Sequence, residues 1–216
     1  MWIDTHCHFD VADFDADRPE VAAQAAASGV QAIVIPGYVA DRWSRLFDVC
    51  SSLNIPCLLP APGLHPCYIR DHRPEHLDLL ESRLKSGHCI AVGEIGLDTY
   101  VADIRQGDMY RQQQAFFIDQ MTLAKRYDKP VILHVRKAHA DVFRLLREQK
   151  FNLGGIVHAF SGGVEEARMY ERLGFGLYMV ERLADGLPIG MCGLLRRDVL
   201  QDVDLGFAFL PLARGQ

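Results

Sequence analysis

Short apolar runs alternate along this chain with longer segments whose apolar positions recur at helical spacing. Trp2 to Thr5 is the first run, and a helix is predicted over Arg18 to Ser28 with Gly29 just past its end. Ala32-Ile33-Val34-Ile35 follows as a second strand, stopped by Pro36 and Gly37, and a helix from Asp41 to Leu53 leads to a third strand at Cys57-Leu58-Leu59. After the turn-rich Gly63-Leu64-His65-Pro66, the pattern predicts a helix over Pro74 to Lys85 and a fourth strand over Cys89 to Glu94. Asp108 to Tyr127 carries the strongest helical signal: Phe116, Ile118, Met121, Leu123 and Ala124 form an apolar stripe, and Arg111, Gln112 and Gln120 are expected to face elsewhere. Strands at Val131 to His134, Gly155 to Ala159 and Gly176 to Met179 then alternate with helices at Ala138 to Gln149 and Val164 to Leu173.

Buried strands separated by helices of ~10–15 residues imply right-handed βαβ units and a parallel sheet. Their number points to an α/β, TIM-barrel-like (β/α)8 fold. That fold needs eight strands and usually ~250 residues. Here the pattern breaks after Met179 into the glycine-rich Asp185-Gly186-Leu187-Pro188-Ile189-Gly190, and the last apolar run, Leu205 to Leu210, offers no acid or histidine at its end. The final βα unit is therefore expected to be missing or altered. The chain is expected to be one domain over 1–216, with a divergent tail from about residue 180.

Composition narrows the class. The 216 residues are 49% hydrophobic and 24% charged, ordinary for one globular domain, and the formal net charge is -5. An acidic balance argues against binding duplex nucleic acid by charge alone, but not against a nucleic-acid substrate held through bound cations. The six cysteines (Cys7, Cys50, Cys57, Cys67, Cys89, Cys192) form no CxxC pair or disulfide-like framework, and Cys7, Cys57 and Cys89 are expected as buried free thiols. No basic-then-apolar leader and no run of ~20 apolar residues is present, so the expectation is a cytoplasmic protein without membrane contact. No obligate protein partner is evident.

The candidate chemistry sits where the apolar runs end. The first strand leads into His6-Cys7-His8, Ala91-Val92-Gly93 into Glu94, Val131-Ile132-Leu133 into His134, and Ile156-Val157 into His158. The C-terminal ends of parallel strands are where barrels build active sites. His6 and His8 are two apart, so both point to one face, about 7 Å apart along an extended strand. Glu94 can bridge two cations, and imidazole with carboxylate is a mixed donor set suited to Zn, Mn or similar ions. The alternative for each histidine is a structural hydrogen bond, and for Glu94 a helix cap or an ion pair. His65 either contacts substrate or packs under its turn. Arg136 either meets an anion such as phosphate or forms a surface ion pair. Asp98 and Tyr100 are functional or turn formers, His72, His76 and His88 are expected to be solvated, and His139 is a candidate supporting residue.

Taken together, Asp4-Thr5-His6-Cys7-His8, Gly63-Leu64-His65-Pro66, Ala91-Val92-Gly93-Glu94-Ile95-Gly96-Leu97-Asp98, Pro130-Val131-Ile132-Leu133-His134 and Val157-His158-Ala159-Phe160-Ser161-Gly162 resemble, in order, the TatD family of metal-dependent hydrolases. The helix carrying Arg111, Gln112, Phe117, Gln120, Leu123 and Ala124 is also similar, and the resemblance covers about residues 1 to 179. It implies a TIM barrel, two divalent metal ions (Zn, Mg or Mn) and phosphodiester hydrolysis, commonly described as deoxyribonuclease activity. It further implies that His6 and His8 bind one metal, Glu94 bridges both, His134 and His158 bind the second, and His65 and Arg136 hold substrate phosphate.

The tail departs from the family. Its members end strand 8 with a Glu-Thr-Asp-Ala-Pro-like segment whose aspartate binds metal and orients water. Here Val180-Glu181 replace the family's glycine pair, and Asp185, Asp198, Asp202 and Asp204 lack the required context. A shifted or truncated reading frame from about Val180 would account for this. Two alternatives to a phosphodiesterase therefore remain: an amide or ester hydrolase using the same metal rim, and a catalytically impaired metal-binding remnant.

Overall fold

The computed structural model describes residues 2–54 and 56–175, together with the backbone of three later strands. Six parallel strands follow in chain order: β1 (Trp2–Asp4), β2 (Val30–Pro36), β3 (Cys57–Ala61), β4 (Val92–Asp98), β5 (Val131–Arg136) and β6 (Gly155–His158). They are joined by α1 (Arg18–Ala27), α2 (Trp43–Ser52), α3 (Glu75–Lys85), α4 (Gly107–Arg126) and α5 (His139–Glu148), and α6 (Val164–Arg172) follows β6. Strands pair in the orders β1-β2-β3 and β4-β5-β6, each ladder parallel. Backbone bonds stitch the two sheets together. Ile90 N donates to Pro60 O at 3.0 Å and Gly93 N to Pro62 O at 3.1 Å, while Glu94 N donates to Gly37 O at 2.8 Å.

The strands are nearly continuous apolar runs because both faces are covered, as parallel sheets require. β4 has no exposed residue, and its Val92, Ile95 and Leu97 join Trp43, Leu80, Phe117, Met121, Leu133 and Val142 in the main core. Val34, Ala61, Ala91 and Ile132 form a separate small cluster. Small residues are needed where strands and loops approach closely. At Gly63, an added Cβ would lie 2.5 Å from the backbone of Gly93.

Several expectations require correction. The fourth strand was expected to stop at Glu94, but it continues through Ile95-Gly96-Leu97 to Asp98. Gly96 takes φ +141 and lets the strand pass against His134 O, so Glu94 lies inside the strand and Asp98 at its end. Of the three cysteines expected to be buried, Cys89 is, Cys7 is half-buried and Cys57 is exposed. His72 and His76 are buried rather than solvated, whereas His88 is exposed.

The tail is the largest departure. Phe175 bridges Gly155 in parallel, as a seventh barrel strand would begin. Beyond it, β7 (Tyr178–Arg182) pairs antiparallel with β8 (Leu187–Leu195), and β8 pairs antiparallel with β9 (Asp204–Phe209). Leu187 to Gly190, where the strand–helix pattern breaks in the sequence, thus lie in a strand. Alternating apolar periodicity marks a strand but does not give its direction. Asp185, Asp198 and Asp202 lie outside the described residues.

Candidate metal centre

The C-terminal ends of β1, β3, β4, β5 and β6 bring five histidines, two acids and a cysteine to one place. Glu94 sits at its middle, 2% exposed. Its Oε2 lies 3.5 Å from His6 Nε2 and 3.9 Å from His8 Nε2. Its Oε1 lies 3.2 Å from His134 Nδ1 and 3.7 Å from His65 Nε2. His158 comes in through His6, whose ring it stacks upon with centroids 3.4 Å apart. The spacing of His6 and His8 does place both on one side, and their rings meet edge to face at 5.1 Å.

Asp98 completes one flank. Its Oδ2 accepts from His134 Nε2 at 2.9 Å, and its Oδ1 accepts from the backbone of Tyr100 and Val101. It is therefore both a turn former and a partner of the site. Cys67 Sγ lies 3.5 Å from the same Oδ2, and Cys67 N donates to His65 Nδ1 at 3.1 Å. That bond leaves His65 Nε2 facing Glu94.

The electrostatics follow from burial and pairing. Burial alone would raise Glu94, but hydrogen bonds from His134 and His65, and charge on His65 and His6, hold it well below the usual carboxylate range. Asp98 is likewise pushed up by burial yet held down to about 2 by His134 and two backbone N–H groups. Burial lowers His134 too, but its bonds to Asp98, Cys67 and Glu94 win and raise it to about 11. His6 goes the other way, lowered to about 3 by burial despite Glu94.

The donor chemistry of this arrangement fits a divalent cation. His6 Nδ1, His6 Nε2 and His8 Nδ1 are buried and have no hydrogen-bond partner among the described residues. Buried polar atoms are normally satisfied, and imidazole nitrogens left over around a buried carboxylate suit a metal ion as their partner. Among the described residues, two groups have donor atoms all within 4.8 Å of one another: His6 with His8 and Glu94, and His65 with Cys67 and His134.

The remaining predicted residues lie around this centre. The Arg136 guanidinium is exposed and stands 3.5 Å over the Tyr100 ring, with Lys137 Nζ 5.0 Å from the same ring. His139 packs on Phe160 and hydrogen-bonds the Tyr170 hydroxyl at 3.1 Å, a core contact and not a support for a ligand. Tyr38 and Tyr68 flank His8 and His65.

Three residues of the site escape the apolar pattern. Gln120, expected to face elsewhere, is 1% exposed: its Oε1 accepts from Leu64 N at 2.7 Å and its Nε2 donates to Leu64 O. Gln113 does the same for the next segment, accepting from Asp98 N at 2.8 Å and donating to Asp98 O and Ile104 O. They are seven apart, two helical turns, on the face that also carries Phe117 and Ala124, and that spacing was the available signal. Cys67 lies two residues past His65, the spacing already noticed for His6 and His8.

Among known proteins, the family model described as TatD related DNase matches residues 3–179. The uncharacterized metal-dependent hydrolase YjjV of Escherichia coli K12 is 36% identical over 176 residues, 81% of this chain and 66% of that protein. Human deoxyribonuclease TATDN3 is 30% identical over 80% of this chain and 65% of its own length. The crystal structure of the Escherichia coli TatD homolog YjjV superposes with a TM-score of 0.74 over 81% of this chain and 66% of that one. The chain spans about two thirds of the length of these relatives. The family match ends at residue 179, where the sequence pattern also breaks.

Proposed function

The chain belongs to the TatD family of metal-dependent hydrolases, and from that premise we propose that it hydrolyses phosphodiester bonds in DNA with two divalent cations held by His6, His8, Glu94, His134 and His158. One observation carries this reading. A buried carboxylate, Glu94, has nitrogens of four imidazoles within 4 Å, and three imidazole nitrogens of His6 and His8 have no hydrogen-bond partner among the described residues. A carboxylate so placed can serve two cations at once. When bound, such cations lower the pKa of water towards ~7 and offset charge on the reacting phosphate.

The protein groups have separable tasks in this reading. Asp98 orients His134 through Nε2 and leaves Nδ1 facing Glu94, the carboxylate–histidine arrangement that tunes ligand basicity. His65 Nε2 faces the same cavity and is placed to hold a phosphate oxygen. Arg136 and Lys137 supply positive charge around an exposed aromatic face, Tyr100, on a chain that is acidic overall. Stacking on aromatic faces and phosphate contacts by Arg and Lys are how single-stranded nucleic acid is commonly bound. This favours DNA over amide or uncharged ester substrates.

A second reading, a cation-binding chain with little turnover, has one observation in its favour. The backbone of β7, β8 and β9 is antiparallel, where the family resemblance expects a parallel eighth strand ending in an aspartate. One assay separates the readings. Protein loaded with Mg, Mn or Zn is incubated with single-stranded DNA beside amide and ester panels. DNA cleavage abolished by His6→Ala supports the first reading. Cleavage of amides or esters alone overturns it, and bound metal with no turnover on any substrate supports the second.

A further inference from the structure

The donor set on the Asp98 side of Glu94 contains a sulfur. From this we infer that Cys67 is a metal ligand, and that with His65 and His134 it forms a thiolate–imidazole position selective for zinc-like ions over magnesium. The inference rests on the cation-dependent reading above; it adds Cys67 to the ligands, makes His65 a ligand in place of a phosphate contact, and names the class of ion this position selects.

Three observations carry it. Donor atoms of His65, Cys67 and His134 all lie within 4.8 Å of one another. Ligand bonds of ~2.0–2.3 Å in a tetrahedral zinc site put donor atoms about 3.5 Å apart, so this trio needs to close by roughly an ångström. Second, the residues are already oriented toward one another. The Cys67 backbone N–H occupies His65 Nδ1, which turns Nε2 inward, and the Cys67 thiol and His134 Nε2 converge on the same oxygen, Asp98 Oδ2. Third, the supports are rigid. Gln120 holds Leu64, the residue before His65, by both its N and O, and Gln113 holds Asp98 by both its N and O.

The chemistry determines the ion. Two imidazoles and a thiolate, with a carboxylate alongside, suit Zn and Co and disfavour Mg, which demands oxygen ligands in octahedral geometry. On binding, the thiol gives up its proton to bulk water and ligates as the thiolate, which makes affinity at this position rise with pH. His6 with His8 and Glu94 offers only nitrogen and oxygen donors, so the two positions differ in softness.

Cobalt titration of the metal-free chain tests this with an optical readout independent of turnover. Ligation by Cys67 predicts a near-ultraviolet sulfur-to-cobalt charge-transfer band beside the visible cobalt bands. The band should vanish in Cys67→Ser and Cys67→Ala and persist in Cys7→Ser. In the unaltered chain, zinc should protect Cys67 from alkylation at least 10-fold while magnesium does not. Visible cobalt bands with no sulfur band, or a sulfur band that survives loss of Cys67, would overturn the inference while leaving the cation-dependent reading intact. No cobalt spectrum at all, with Cys67 alkylated equally with and without zinc, would overturn both.

Discussion

The imidazoles of His6 and His158 stack face to face, with centroids 3.4 Å apart and planes 8° apart, though they leave the first and sixth strands of the sheet. Two protonated rings could not share that space. Burial lowers both from their ordinary pKa, His6 to about 3, and each adds to the pressure by proximity to other histidines, against the pull of Glu94. At neutral pH both are uncharged, which is the form that ligates a cation.

His6 should therefore be a ligand that costs stability. Leaving two buried nitrogens unsatisfied costs ~1–3 kcal/mol. His6→Leu is expected to raise the stability of the metal-free chain by about 1 kcal/mol in urea unfolding while weakening cation binding at least tenfold. A loss of more than about 2 kcal/mol with unchanged cation affinity contradicts this.

Asp98 governs His134. Asp98→Asn removes the charged acceptor of the 2.9 Å bond to Nε2. The His134 ring, now held up at about 11, is expected to titrate at least one pH unit lower by NMR in the metal-free chain. Affinity for the second cation should fall about 10–100-fold. An unmoved titration would mean that Glu94 and Cys67 alone set the His134 proton.

The glutamine clamp can be tested by exchange. Gln120→Leu strands Leu64 N and O in a buried place, at a cost of about 2–3 kcal/mol. Amide exchange at Leu64 should accelerate by a larger factor than exchange in α1, which lies apart from the clamp. Uniform acceleration throughout the chain would reduce Gln120 to a general core residue.

How much of this was legible beforehand depends on what each residue's signal is. His6, His8, His134 and His158 end apolar runs, and a strand end in a parallel α/β fold is a place as well as a pattern, so their convergence could be anticipated. Glu94 ends an apolar run in the sequence but lies inside its strand in the fold, which continues past Gly96 because the absence of a Cβ there allows close passage over His134 O. Gln113 and Gln120 share the apolar face of α4 by their spacing, but an amide's residue type does not say that it serves backbone groups, so the clamp itself could not be anticipated. Cys67 stands two residues past His65, but an intervening Pro66 and the turn-rich context leave that spacing without a strand to give it a direction. The antiparallel turn of β7 to β9 was invisible because hydrophobic runs carry no direction.

Acid should weaken the fold through buried neutral histidines. His72 donates from Nε2 to His65 O at 2.8 Å, and burial lowers it to about 4 against that bond's upward pull. The unfolded chain takes up this proton near pH 6.5 and the folded chain only near 4, so stability is full above 6.5 and falls as pH drops between those values. Between pH 7 and 4.5 the native chain should lose about 2 kcal/mol more than His72→Gln. Equal losses would show that His72 does not contribute to acid sensitivity.

The most direct measurement counts cations. Metal-free chain and its Glu94→Gln variant are each equilibrated with zinc, dialysed, and analysed for bound metal per chain, with circular dichroism confirming that both remain folded. A carboxylate shared among four imidazoles predicts about two equivalents for the native residue and a loss of at least one on substitution. Equal metal content in the two proteins, or none in either, would contradict it.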